Sequence, residues 1–127
     1  MTTNKNGCFV NFSNHPLEAW TEAQKEAARQ LSDGVLTDLP FPQVSPQADE
    51  AAVTETAEQY VRQILAMQPA AVMCMGEFGV CFQAVQMLKQ HGILCVYSCS
   101  ERQASEEQTA AGTVKHSNFV FRRFRSY

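Results

Sequence analysis

The apolar and polar positions alternate along the chain between the two-residue period of strands and the longer period of helices. Short apolar runs, ended mostly by proline, glycine, asparagine or serine, predict strands. The segments between them are rich in alanine, glutamine and glutamate, which favours helices. The predicted strands are 8–12, 35–39, one within 69–75, 93–97 and 113–124, and the predicted helices are 18–31, 49–67 and 80–90.

Three details of this pattern are specific enough to test. Trp20, Ala23, Ala27 and Leu31 recur at three- and four-residue spacing, which predicts one buried face for the first helix. The charged segment 98–112 has no apolar run, and we expect it to be a mobile polar stretch before the last strand. The proline-rich segment 40–46 is expected to be an ordered loop.

The order of these elements indicates the fold class. Strands that alternate with helices predict an α/β protein with a mainly parallel, Rossmann-like sheet flanked by helices. Right-handed crossovers favour the strand order 2-1-3-4, to which a C-terminal strand or hairpin is added. We expect one ligand-binding domain over residues 1–127. In such sheets ligands bind beyond the carboxyl ends of the strands, here the first, third and fourth.

Composition narrows the class of protein. The chain is 45% hydrophobic and 18% charged, which is ordinary for a globular protein. It lacks the roughly 18 uninterrupted apolar residues that a membrane span needs, and its polar start predicts no secretory signal. We therefore expect a cytoplasmic protein with no membrane partner. The five cysteines, an odd number, predict free thiols, with Cys74 and Cys95 acting as small apolar residues in strands.

Charge is unevenly distributed, although the net charge is only −3. No acidic residue follows Glu107, and the basic residues after it are Lys115, His116, Arg122, Arg123 and Arg125. This pattern suits a compact anionic ligand better than duplex nucleic acid. The alternative is that these residues protect an edge strand from pairing with other chains, and the sequence leaves both interpretations open.

The most distinctive polar residues follow the three strands whose ends should meet. They are Asn11, Ser13, Asn14 and His15 after the first strand, Gly76 and Glu77 after the third, and Ser98, Ser100, Glu101 and Arg102 after the fourth. Each could instead cap a helix, form a turn or, for Arg102, make a surface ion pair. Known phosphate-binding motifs and metal-ligand spacings are missing, so we expect neither a cofactor nor a metal.

Four motifs resemble the small CARF-like accessory proteins of type III CRISPR systems, and together they extend over most of the chain. They are Asn11-Phe-Ser-Asn-His-Pro16, Leu39-Pro-Phe-Pro-Gln-Val44, Met75-Gly-Glu-Phe78 and Cys99-Ser-Glu-Arg102. The resemblance implies a homodimer that binds a cyclic oligoadenylate, with cyclic tetra-adenylate as the expected messenger. It also implies a metal-independent ring nuclease that cuts this messenger to linear di-adenylate and ends the antiviral signal.

The resemblance and the chemistry of the side chains give each residue an expected role. His15 is the expected acid and base, Arg102 the group that grips phosphate, and Ser13 the third catalytic residue. The expected ligand-binding residues are Asn11, Asn14, Gln43, Gly76, Glu77, Phe78, Ser98, Ser100, Glu101 and Lys115. Three alternatives remain: a protein that binds the messenger without cutting it, a hydrolase of another small nucleotide, and a pure interaction module.

Overall fold

The structure, a computed structural model, describes residues 5–127. Residues 1–4, part of the polar start on which the expectation of no secretory signal rests, lie outside the described residues. A short 3-10 helix, Leu17–Ala19, precedes the first α-helix. The main elements, in chain order, are β1 (Phe9–Ser13), α1 (Glu22–Gln30), β2 (Leu36–Pro40), α2 (Glu50–Ala66), β3 (Ala71–Met75), α3 (Phe78–Gln90), β4 (Leu94–Thr109) and β5 (Gly112–Ser126).

The strands form one sheet in the order β2-β1-β3-β4-β5. β1 is parallel to both β2 and β3, and β3 is parallel to β4. The predicted α/β class, the mainly parallel sheet and the order 2-1-3-4 are therefore confirmed. The sequence left the place of the last strand open, and the structure puts β5 at the sheet edge, antiparallel to β4.

Two apolar layers cover the sheet because successive strand residues face opposite sides. One layer lies under α2 and α3 and contains Phe12, Ile64 and Leu88, each fully buried. The other lies on the α1 side and contains Phe9 and Met73. This alternation determines which residues at the strand ends lie on the same face of the sheet.

The predicted buried face of the first helix is wrong in detail. Ala23 is exposed, whereas Gln24 and Ala28 are buried. The cause lies before the helix, because Trp20 has extended backbone angles (φ −75°, ψ 146°) and Thr21 then caps the start of α1. A period counted from Trp20 consequently starts outside the helix and gives the wrong residues.

The segment 98–112 is polar and mostly exposed, as expected, but it is a regular strand and turn and not an irregular stretch before the last strand. β4 runs on to Thr109, turns at residues 110–111, and pairs with β5 from Gly112. We call residues 100–121 of this hairpin the arm; its register runs from Ser100↔Phe121 to Thr109↔Gly112. Residues 100–119 are exposed on both faces, so a two-stranded ribbon extends beyond the body of the domain.

Candidate functional site

A pocket of about 400 Å³ lies at the carboxyl edge of the sheet. Its lining comes from the loop after β1, the end of β3 and the middle of β4, which are the three places where the sequence predicts a site. The lining residues are Ser13, Asn14, His15, Met73, Met75, Gly76 and Ser98. Because Met73 and Met75 belong to the apolar layer on the α1 side, the pocket opens on that side of the sheet.

The loop after β1 is held by a buried polar network centred on Asn11. The Asn11 side chain is 1% exposed, and its Nδ2 donates to the His15 carbonyl oxygen (2.8 Å) and to Asp38 Oδ1 (2.9 Å). Its Oδ1 accepts from Ser13 Oγ (2.6 Å), and Ser13 Oγ in turn accepts from the His15 amide (3.1 Å). Trp20 Nε1 also donates to the His15 carbonyl oxygen (2.9 Å). The backbone of His15 is thus fixed by three side chains, while Asn14 and His15 themselves are exposed.

Asp38 completes this network from the neighbouring strand, although the sequence analysis did not single it out. It is the register partner of Asn11 in the parallel pair of β1 and β2. Its Oδ1 also accepts from the Leu17 amide (3.1 Å), which joins β2 to the 3-10 helix. Together with Ser13 and Asn14 it lines a second, smaller cleft of about 240 Å³ beside the pocket. The available signal in the sequence was a carboxylate within the short predicted strand 35–39.

The loop between β3 and α3 forms another wall of the pocket. A Cβ on Gly76 would lie 2.6 Å from the Phe41 ring, so only glycine allows the loop to pass this buried side chain. Glu77 caps α3, and its carboxylate accepts from the amides of Gly79 (2.8 Å) and Val80 (2.9 Å). The first free amides of α3 are therefore already occupied by an anion of the chain itself.

The third predicted loop contributes only its first residue. Ser98 lies in the pocket, where its Oγ donates to Met75 Sδ (3.2 Å). Arg102 is on the arm, about 13 Å farther along the strand, and its Nε donates to Ser117 Oγ (2.7 Å). Glu101 faces the other side of the ribbon and pairs with Arg122 (2.7 Å).

Of the thirteen predicted site residues, the structure brings five together in the pocket: Ser13, Asn14, His15, Gly76 and Ser98. Asn11 and Glu77 adjoin it, but their polar atoms bond to the chain itself. The remaining six are exposed and do not line it: Gln43, Phe78, Ser100, Glu101, Arg102 and Lys115. The expectation that all three loops converge within one chain is therefore wrong for the part that lies on the arm. β4 continues there as a strand instead of turning back.

The chemical groups of the pocket are few. His15 is its single ionisable side chain, and the lining holds no lysine or arginine. Across residues 5–127, no group of three or more histidine, cysteine, aspartate or glutamate side chains could hold a metal ion. The Cys74 and Cys81 thiols lie 3.6 Å apart beneath the β3–α3 loop. Their hydrogen bond and burial raise the pKa of Cys74 far above its ordinary value, so this thiol is not a nucleophile.

These features define a Rossmann-like α/β protein with a pocket of mixed polar and apolar lining at the carboxyl edge of its sheet. The chain belongs to the family described as the uncharacterized protein MJ1673 family, which it matches over residues 7–125. No curated protein matches it. Among the described residues, no helix is both long and apolar enough to cross a membrane.

Proposed function

We propose that this protein is a homodimeric ring nuclease that binds a cyclic oligoadenylate, of which cyclic tetra-adenylate is the first candidate, in the pocket at the carboxyl edge. Its role would be to switch off type III CRISPR signalling in the cytoplasm. One observation carries the proposal: Ser13, Asn14, His15 and Ser98 meet in a 400 Å³ pocket at the edge of the sheet where β1 and β3 end beside β4. The motifs that resemble CARF-like proteins supply the identity of the ligand.

The chemistry requires little from the protein, since the nucleophile belongs to the substrate. A ribose 2′-oxygen attacks the adjacent phosphorus, the bond from phosphorus to the 5′-oxygen breaks, and a 2′,3′-cyclic phosphate forms. His15 is the group in the pocket that can accept the 2′-hydroxyl proton and protonate the leaving 5′-oxygen. Holding the reacting groups in line lowers the barrier further. In this proposal the Asn14 side chain donates to phosphate or ribose oxygens, and Ser98 Oγ does so in place of its bond to Met75 Sδ.

Two of the predicted catalytic residues take other roles in this proposal. Ser13 Oγ is engaged with both Asn11 and the His15 amide, so we assign it the positioning of His15. Arg102 lies about 13 Å along the strand from Ser98, so within its own chain it does not grip a phosphate in the pocket. Stabilisation of the phosphate charge then depends on neutral donors or on a second copy of the chain.

A second candidate function is binding of the messenger without cleavage. The observation that favours it is the charge of the pocket, which offers a polyanionic ligand no lysine or arginine. Charged donors at phosphate are a large part of the catalytic stabilisation in many phosphoryl-transfer sites. A pocket of neutral donors and one imidazole is sufficient to bind the messenger, but it would cleave it more slowly than a pocket with charged donors at the phosphate.

The experiment is incubation of the protein with cyclic tetra-adenylate in EDTA, with products separated by chromatography. We expect linear di-adenylate over many turnovers, and a loss of about 100-fold or more in His15→Ala, as for other general acid–base groups. His91→Ala is the matched control because that exposed histidine caps the far end of α3. Intact ligand in a stable complex would favour binding without cleavage. The absence of both a complex and a product would refute the messenger proposal.

A further inference from the structure

The three most exposed aromatic side chains lie at two places in the fold. Phe119, 71% exposed, is on the arm. Phe78 and Phe82, 91% and 62% exposed, are one turn apart at the start of α3, next to the β3–α3 loop of the pocket. Exposed aromatic groups of this size commonly mark contact surfaces.

The arm presents Phe119 together with a cation. Arg102 lies directly opposite Phe119 in the β4–β5 register, so both side chains are on the same face of the ribbon. Two other basic residues have carboxylate partners: His116 of the arm lies 3.0 Å from Glu107, and Arg122, directly after the arm, pairs with Glu101. Arg102 has a hydrogen bond to Ser117 and, within the described residues, no carboxylate within 4.0 Å.

A groove of about 210 Å³ between the starts of α2 and α3 has the complementary character. Phe82, Val53 and Gly79 supply its apolar wall, and the carboxylates at its rim are Asp49 and Glu50. Asp49 already caps α2 by accepting from the Ala52 amide (2.9 Å), whereas Glu50 is exposed in the first turn of that helix. The groove can therefore receive an aromatic ring against its apolar wall and a neighbouring cationic side chain at its carboxylate rim.

The arm does not reach this groove in its own chain. Arg102 and Phe119 share a sheet face with the pair Ser98 and Phe124, and Phe124 packs into the apolar layer on the α1 side. The Phe121 and Phe124 rings lie 5.0 Å apart, so this face continues onto the arm across the β-bulge where the register shifts between Cys99 and Ser100. The groove is on the opposite face, where α2 and α3 lie.

We propose that the arm of one copy docks in the groove between α2 and α3 of a second copy, with Phe119 against Phe82 and Arg102 beside Glu50. A second copy is the occupant because one chain carries both halves of a matched pair, aromatic with aromatic and cation with carboxylate. Each copy offers one arm and one groove, so reciprocal docking closes as a two-fold dimer. The contact would also stabilise a two-stranded ribbon that is only marginal alone.

This inference specifies the interface of the homodimer in the proposed function, but it is tested without any nucleotide. Analytical ultracentrifugation over a range of protein concentrations measures the dimer dissociation constant. We expect a dimer for the natural chain and a dissociation constant raised about tenfold or more in Phe119→Ser, as for other aromatic interface anchors. The matched control is Val35→Ser, which removes a 56%-exposed apolar side chain immediately before β2 and should leave the dimer unchanged.

A charge exchange makes the test specific to the proposed contact. Arg102→Glu and Glu50→Arg should each weaken the dimer, because each puts like charges together. The double variant restores an opposite pair and should recover most of the loss. Both positions are exposed, and an unchanged melting temperature of the dilute protein would show that each variant folds. A monomeric natural chain, unaffected dimers in the single variants, or no recovery in the double variant would overturn the proposal. None of these outcomes depends on whether cyclic tetra-adenylate binds.

Discussion

The body of the domain and the arm are built from the same kind of strand pairing but differ in what covers it. Every residue of β1 is buried, and β1 has hydrogen-bonded neighbours on both sides. In the arm, residues 100–119 are exposed and each strand has one partner. The body is thus stabilised mainly by apolar burial. The arm depends on backbone hydrogen bonds and surface ion pairs, which contribute little alone.

The largest expected effect on the free energy of unfolding comes from replacing a phenylalanine by alanine in the body, and the same replacement in the arm provides the comparison. Phe12 is fully buried, and its ring stacks on Phe41 and Tyr60 at centroid distances of 4.5 and 5.2 Å. Phe12→Ala should lower the free energy of unfolding by about 3–5 kcal/mol, because it removes apolar contacts and leaves a cavity. Phe119→Ala on the arm should cost about 0.5 kcal/mol or less, as for other surface positions.

Urea unfolding of both variants measures this difference. The protein should be dilute enough to be monomeric, so that any contribution of Phe119 between copies is excluded. Equal losses for the two phenylalanines would contradict the division between a buried body and an exposed arm.

The pocket lies where the body ends, and its first loop shows how a buried polar residue can control exposed ones. Asn11→Ala should lower the free energy of unfolding by about 2 kcal/mol, because it leaves the buried Ser13 hydroxyl and the His15 carbonyl with fewer partners. It should also weaken ligand binding, since the His15 backbone loses a fixed position. Urea unfolding and titration with cyclic tetra-adenylate measure the two effects.

Asn14→Ala is the matched control for this second prediction. Asn14 is exposed and lines the pocket, so its loss should leave stability within about 0.5 kcal/mol while still weakening binding. If Asn11→Ala were as stable as the natural chain, the buried network would not be what holds the loop.

The strands and helices of the body can be predicted from the sequence because burial requires runs and repeats of apolar residues there. The run around β3 is wholly apolar and that around β1 contains Phe9, Val10 and Phe12, which is typical of parallel strands covered on both faces. The arm lacks that signal, because its strands are exposed on both faces and bury nothing. Its turn is Ala110-Ala111, without the Asn-Gly or Asp-Gly pairs that mark hairpins. A paired ribbon was therefore read as a mobile segment.

The same contrast explains what could be predicted of the site. The position of the pocket follows from chain order alone, because parallel strands end at one edge of the sheet. The role of Asn11 does not follow, since it depends on Asp38, which is 27 residues away. The distance of Arg102 from the pocket depends on β4 running straight past the sheet edge, which no local pattern indicates. The type of a side chain indicates which chemistry it can perform. Only the geometry shows whether it lines the pocket or holds a neighbouring residue in place.

The smallest effect that we predict concerns the C-terminal junction, where Tyr127, directly after β5, is held against β3 and β4 of the body. Beyond β5, the Tyr127 hydroxyl donates to the Cys74 carbonyl oxygen (2.6 Å), and its amide donates to the Cys95 carbonyl oxygen (3.0 Å). Tyr127→Phe removes only the first bond and should lower the free energy of unfolding by about 1 kcal/mol near neutral pH. Tyr97, whose ring lies 5.0 Å away, provides the control as Tyr97→Phe, since no hydroxyl hydrogen bond of Tyr97 is part of this junction.

Burial raises the pKa of Tyr127 from 10.0 to about 12, because the neutral phenol is favoured in the folded state. The folded protein then holds this proton more tightly than the unfolded chain. The contribution to stability is therefore fully present below about pH 10 and is lost as the pH rises toward about 12. The natural chain and Tyr127→Phe should accordingly converge in stability across that range when urea unfolding is repeated at each pH. A gap between them that stayed constant would show that the hydroxyl does not stabilise the junction as a neutral donor.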